Sequence, residues 1–171
     1  MASVSNANGF INWGDIKGGS KDDKHKDWSE ISGFSHGLSQ QFSGSRSNEG
    51  GAYQSAVNHE PFTITKPLDS ASNKLYEALH NGTHIPKVII ELTRAAGKSP
   101  IVYQRYTMTN VALSNIHTSG DTSGDSSSFP SEVIGMTYTT MQWEYTKQDD
   151  TGAAKGTVAT KVDLAKGAGA S

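Results

Sequence analysis

The residues whose types and spacing could do chemistry fall in a few short strings. Gly33-Phe34-Ser35-His36-Gly37 fits G-x-S-x-G, the pattern of a hydrolase nucleophile elbow. That chemistry needs a strand, a sharp turn and then a helix whose N-terminus helps stabilise an oxyanion. Here the pentapeptide lies inside a strand-like run from Trp28 to Gln40, and a Ser/Gly-rich stretch follows where the helix should begin. The elbow reading fails, and a strand with small residues on one face replaces it. Asp121, Ser123 and Asp125, with Glu132 at the twelfth position, imitate a calcium loop. Its sixth position holds Ser126 instead of Gly, its eighth Ser128 instead of an aliphatic residue, and Pro130 interrupts it. A solvated turn is expected there. His80 and His84 have the spacing of a helical zinc pair, but Gly82 breaks the helix between them and no H-E-x-x-H surrounds them. They and His25, His36, His59 and His117 are read as ordinary surface or half-buried side chains. Lys21 to Lys26 (KDDKHK) alternates in sign and reads as a solvated turn. No catalytic residue, metal site or cofactor is predicted, and the protein is not expected to be an enzyme.

The elements that must position any site are mostly strands. Apolar and β-branched alternation marks 10–16, 28–40, 61–66, 87–94, 101–116, 133–146 and 156–164. Along 133–145, alternation puts Val133, Thr137, Thr139, Met141, Trp143 and Tyr145 on one face. Ile134, Met136, Tyr138, Gln142 and Glu144 fall on the other, as in a barrel wall with a core on one side and a neighbour on the other. One helix is predicted, capped by Asp69 or Ser70, striped by Leu75, Ala78 and Leu79, and stopped by Asn81-Gly82. Gly97-Lys98 reads as a hairpin turn, and Gly120-Asp121 opens a longer loop. Seven strands and one helix in 171 residues make a single mainly β domain, a barrel or a sandwich with the helix packed alongside. Residues 10–164 form it, with flexible segments expected at 1–9 and 165–171.

Composition narrows the partners. A net charge of -2 provides no basic field for nucleic acid, and the absence of cysteine excludes a disulfide framework, a thiolate zinc site and a Cys nucleophile. No apolar run approaches a spanning helix, and the first twenty residues lack the pattern of a Sec-type signal peptide. The chain is expected to be soluble, with no membrane insertion. The 22 Ser, 15 Thr and 18 Gly, against 34% apolar residues, pose a choice between a β-protein with long turns and a chain partly too polar to fold. The Thr in strand-like runs favours the β-protein.

Several strings, in order, resemble the Hcp family, the haemolysin-coregulated tube proteins of type VI secretion systems. They are Gly14 to Ser20 (GDIKGGS), Trp28 to Gln40 (WSEISGFSHGLSQ), Phe62 to Lys66 (FTITK) and Asp69 to Leu79 (DSASNKLYEAL). Gly82-Thr83-His84, Val88 to Arg94, Tyr103 to Ser114 (YQRYTMTNVALS), Trp143-Glu144-Tyr145 and Gly156 to Asp163 complete the set. The resemblance implies a two-sheet β-barrel with one α-helix alongside. It also implies a homohexameric ring that stacks into a tube inside a contractile sheath of sheath proteins, capped by a VgrG-type spike. Such a subunit would be made in the cytoplasm of a Gram-negative bacterium, expelled without a signal peptide, and would carry small effector proteins in its lumen.

On that picture, alternation in 28–40 sets Phe34, His36 and Leu38 on one face and Ser35, Gly37 and Ser39 on the other. The latter three are expected to face the lumen. The Gly/Ser loop from Ser43 to Ala56 corresponds to an extended loop that reaches a neighbouring ring, with Arg46, Glu49 and Tyr53 as stacking contacts. The competing readings are a hydrolase centred on Ser35 and a small ligand-binding β-barrel using Trp13, Trp28 and Trp143 as platforms. Core packing explains those tryptophans better.

Overall fold

Alternating β-branched and aromatic residues form strands where the pattern predicts them, but the strands are more broken than the pattern suggests. The computed structural model describes residues 8–41, 57–95, 99–124 and 129–166. In chain order the elements are β1 (Gly9–Asn12), β2 (Ser29–Glu30), β3 (Gly33–Ser35), β4 (Leu38–Ser39), β5 (Asn58–His59) and β6 (Phe62–Pro67). Then come α1 (Ser72–Asn81), β7 (Ile85–Arg94), β8 (Ile101–Ser119), β9 (Ser131–Thr137), β10 (Thr140–Gln148) and β11 (Ala154–Asp163). The predicted run 28–40 is thus three short strands, and 133–146 is two. The Gly97-Lys98 turn lies outside the described residues, though β7 and β8 pair antiparallel on either side of it.

β8 organises the wall. Its first half pairs β7 on one side and β10 on the other, and its second half pairs β9. β9 and β10 therefore run as one interrupted strand along β8, with β6 outside β9 and β11 outside β10. Residues 29–35 link the two open sides. Phe10 pairs Glu30 and Phe34 pairs Ile64, while the Ile31 amide donates to the Gly9 carbonyl at 2.9 Å and the Ser32 amide to the Thr65 carbonyl at 2.8 Å. The chain itself carries the wall from β2 to β3, and strand pairing runs on through β6, β9, β8, β7 and β1 back to β2, which makes the predicted two-sheet β-barrel.

Inside it lie Ile11, Trp13, Phe62, Ile64, Met108 and Ile134, all at most 1% exposed. The indole of Trp13 donates to Ser29 Oγ at 3.1 Å, so burial leaves no orphan N–H. α1 packs Leu75 and Ala78 into the same core. Gly82 ends the helix in the left-handed region at φ 64°, and the Thr83 amide returns to the Ala78 carbonyl at 2.9 Å, as predicted. The start differs. Ala71 occupies the cap position and makes no side-chain cap bond; Asp69 Oδ1 instead accepts the Ala71 amide at 3.0 Å.

The unbroken alternation of two faces predicted for 133–145 is corrected. Ile134, Met136 and Tyr138 are buried, and then the phase shifts by one so that Met141 is buried and Trp143 packs on the core. The shift falls where Asn110 of β8 adopts φ 49°, its Nδ2 donating to Thr139 Oγ1 at 2.8 Å and the Thr139 amide to the Thr109 carbonyl at 3.0 Å. Both strands slip together, so each half keeps an apolar face inward.

Close approach, not turn geometry, requires glycine at position 18. A Cβ there would sit 2.5 Å from the Trp28 carbonyl oxygen and 2.6 Å from the Ser29 amide nitrogen. Because backbone cannot swing aside, Gly18→Ala is expected to destabilise the fold by about 1–3 kcal/mol, read as a lower urea midpoint with unchanged slope.

Candidate functional site

Among the described residues no reaction centre assembles around Ser35. It is the last residue of β3, exposed and paired with Thr63, and the chain runs on to β4 rather than into a helix. Its row continues across the wall through Gly135 to Asn115. The neighbouring row is Gly33, Thr65, Val133 and His117. Since Ile64 and Ile134, of opposite phase, are fully buried, these rows form an outward face of small and polar residues. Gly37 and Ser39 do not join it. Gly37 follows β3 against Glu60, and Ser39 pairs Asn58 in the separate two-stranded sheet β4–β5. Phe34 and His36 do share a face, both within ring contact of Phe62 and Tyr106, but Leu38 leaves it and is half exposed. Arg46, Glu49 and Tyr53 lie outside the described residues.

Two buried ionic clusters stand where the sequence reading placed solvent-exposed turns. Lys66 and Glu132 are both 0% exposed and pair at 2.9 Å. Lys66 Nζ also donates to Asp69 Oδ1 at 2.7 Å, to Ser72 Oγ at 3.2 Å and to the Pro67 carbonyl at 2.9 Å. Glu132 further accepts Ser72 Oγ at 2.7 Å and the Tyr76 hydroxyl, which lies 2.8 Å from Thr118 Oγ1. Burial opposes the Glu132 charge, but the bonds from Tyr76, Lys66 and Ser72 outweigh it and hold the carboxyl below its usual range. The cluster clips α1 to β6, β8 and β9. Glu132 is thus committed inside the wall to Lys66, Ser72 and Tyr76; Asp121 accepts the Ser123 amide at 2.8 Å in a local turn, as expected.

His25 corrects the reading of Lys21 to Lys26. It is 2% exposed, stacked flat on Phe10 at 4.0 Å between ring centroids, with Nδ1 2.7 Å from Asp22 and Nε2 2.8 Å from Glu91. Burial disfavours its charge, yet the bonds to Glu91 and Asp22 win and raise its pKa. Glu91 also takes Arg105 Nε at 2.7 Å. On the outer sheet face beside them, Trp28, Lys87, Arg105, Gln142, Glu144 and Lys161 line a hollow of about 390 Å³. His84 contacts Asn110 Oδ1 at 2.8 Å, and among the described residues no group of three potential ligands could hold a metal ion.

β11 is a long open edge. Among the described residues it pairs only β10, all of 154–161 is exposed, and Val158 and its partner Tyr145 are 55% and 43% exposed. No described helix is long and apolar enough to cross a membrane.

Comparison with known proteins matches residues 10–145 to the family model described as "Type VI secretion system effector, Hcp". Protein hcp1 of Pseudomonas aeruginosa is 31% identical over 147 residues, covering 86% of this chain and 88% of that one. A solved structure described as a type six secretion system protein superposes with a TM-score of 0.84 at 31% identity, over 94% of this chain and 97% of the other. Hcp1 from Salmonella typhimurium gives 0.72 at 25% identity, over 92% and 95%.

Proposed function

Because the chain belongs to the Hcp family of type VI secretion proteins, we propose that it is the repeating subunit of a secretion tube. Six copies close into a ring, rings stack, and the column is expelled from the cytoplasm on contraction of the surrounding sheath, behind a VgrG-type spike. Ser35 and the small polar rows beside it line the lumen, where small effector proteins ride. Arg46, Glu49 and Tyr53 contact the next ring. The family works by secretion and assembly rather than catalysis, and Ser35, followed by β4 and not by a helix, lacks the setting of a nucleophile elbow.

The observation that supports assembly best is the edge strand. Ten residues of β11 present one unpaired row of backbone donors and acceptors beside exposed Val158. Soluble monomers blunt such an edge with charge, proline or a covering element, because it templates pairing with another chain; here Lys155 and Lys161 flank the edge but leave 156–160 without charge or proline. A ring uses it. Dilute protein is expected to sediment as a sixfold species and to give annular particles in negative stain. A monomer at every accessible concentration would refute the ring and leave the ligand-binding barrel in its place. Val158→Lys is expected to shift the ring toward monomer while the monomer melts as wild type, read by sedimentation and thermal unfolding together.

A further inference from the structure

The β4–β5 stem has almost no core of its own. It is two residues deep, Leu38–Ser39 against Asn58–His59, and forms a sheet separate from the barrel. Leu38 and Val57 are 50% and 45% exposed. Among the described contacts, aromatic rings hold it to the wall. His36, just ahead of β4, stacks on Phe62 at 5.0 Å between centroids and lies 5.9 Å from Trp143, 6.2 Å from Tyr138 and 6.3 Å from Tyr106. His59, in β5, shares a 2.9 Å hydrogen bond with the Tyr138 hydroxyl and lies 6.4 Å from Trp143. Within the stem, the Glu60 amide donates to the Gly37 carbonyl at 3.0 Å.

The seat of His36 suits only one protonation state. Both its ring nitrogens are shut off from solvent and have no hydrogen-bond partner among the described residues. A neutral imidazole packs there as an aromatic ring. An imidazolium would bring a charge and two N–H donors into a box walled by Phe62, Tyr106, Tyr138 and Trp143. From β6, β8, the β9–β10 link and β10, those four rings bring no carboxylate. From β5 comes His59, whose charge would repel, and next to it Glu60, the one carboxylate that favours the charged form. Burial, then His59, outweighs Glu60 and keeps His36 below its usual range; burial does the same for His59.

The geometry points to an acid-released latch: neutral His36 and His59 dock the β4–β5 stem on the barrel, and their protonation undocks it while the barrel stays folded. The docked stem binds fewer protons than the released one, whose histidines titrate near the ordinary value of 6.5. Docking therefore weakens as pH falls below that value, by up to about tenfold per pH unit for each histidine until the docked form also titrates. The latch belongs to the single chain and does not rest on the assembly reading.

Amide hydrogen exchange on the full chain tests it, with peptides covering 37–40 and 58–60 compared at about pH 7.5 and about pH 5.0 after correction for intrinsic rates. Protection of the stem is expected to fall about tenfold or more at the lower pH while β6 and β9 keep theirs. In the double variant His36→Phe, His59→Gln that dependence is expected to vanish. Equal wild-type protection at both pH values would overturn the latch. So would the same loss in the double variant, or loss across β6 and β9 together with the stem. Should the double variant fold poorly, the wild-type His36 imidazole is titrated by NMR instead. A midpoint below 6.5 with stem signals moving in step supports the latch, and a midpoint at or above it refutes it.

Discussion

Glu132→Ala is expected to lower the unfolding free energy by about 3–5 kcal/mol, the largest single loss at any polar position in the barrel. The carboxylate is wholly buried, and its removal strands Lys66 Nζ, also wholly buried, with Asp69 as its remaining charge partner. It also takes the acceptor from Ser72 and Tyr76, loosening α1 from β8 and β9. Glu132→Gln keeps an oxygen for those hydroxyls and should fall between. Lys66→Met with Glu132→Leu should be less damaging than Glu132→Ala alone, because both desolvated charges leave together. Urea unfolding of these variants and wild type, with Lys66→Met and Glu132→Leu each made singly, checks the order. A double variant that loses as much as the two single losses summed would show that the clip acts through packing and not through paired charge. Sign also matters here. The lowered Glu132 pKa adds stability that is present above its ordinary value of 4.5 and is lost as pH falls through the lowered value.

Much of that clip was legible. Phe62, Ile64 and Lys66 share one phase of a strand, and so do Glu132, Ile134 and Met136. Opposite charges at core-facing positions of two strands signal a buried pair, and Glu132 was instead assigned to the twelfth position of a failed calcium loop. The strand positions, the helix stop at Gly82 and the fate of the G-x-S-x-G string were equally readable, because each depends on local period or turn chemistry. The phase shift at Thr139 was not. It depends on Asn110 adopting a positive φ across the ladder, and no residue type near 138–139 announces a bulge. Nor was the break of 28–40 into three strands visible: a strand that serves two sheet edges must turn between them, and its sequence alternates regardless. Ser35 is exposed, yet Gly37 and Ser39, expected on the same face, leave it for the same reason.

His25 is the residue that sequence reading missed most completely, and its removal carries the second large effect. His25→Ala is expected to destabilise the protein by about 2–4 kcal/mol near neutral pH, since a hydrogen bond to a charged group contributes about 1.5–3 kcal/mol and two are lost with the Phe10 stack. Glu91 keeps Arg105, which limits the loss. The pH dependence identifies the cause. The raised His25 pKa contributes stability that is fully present below 6.5 and is lost as pH rises through the raised value. The lowered Glu91 pKa contributes stability present above 4.5 and lost as pH falls through the lowered value, and Asp22 behaves likewise from 3.8. The stability difference between wild type and His25→Gln should therefore plateau between 4.5 and 6.5 and shrink on both sides. Total stability will hide this, because His36 and His59 are held neutral and weaken the fold as acid is added, opposite in sign to His25 over part of the same range. Only the difference cancels them. A difference that stays flat from acid to alkaline pH would mean that His25 acts as an aromatic spacer under Phe10 and that its two carboxylate contacts add nothing.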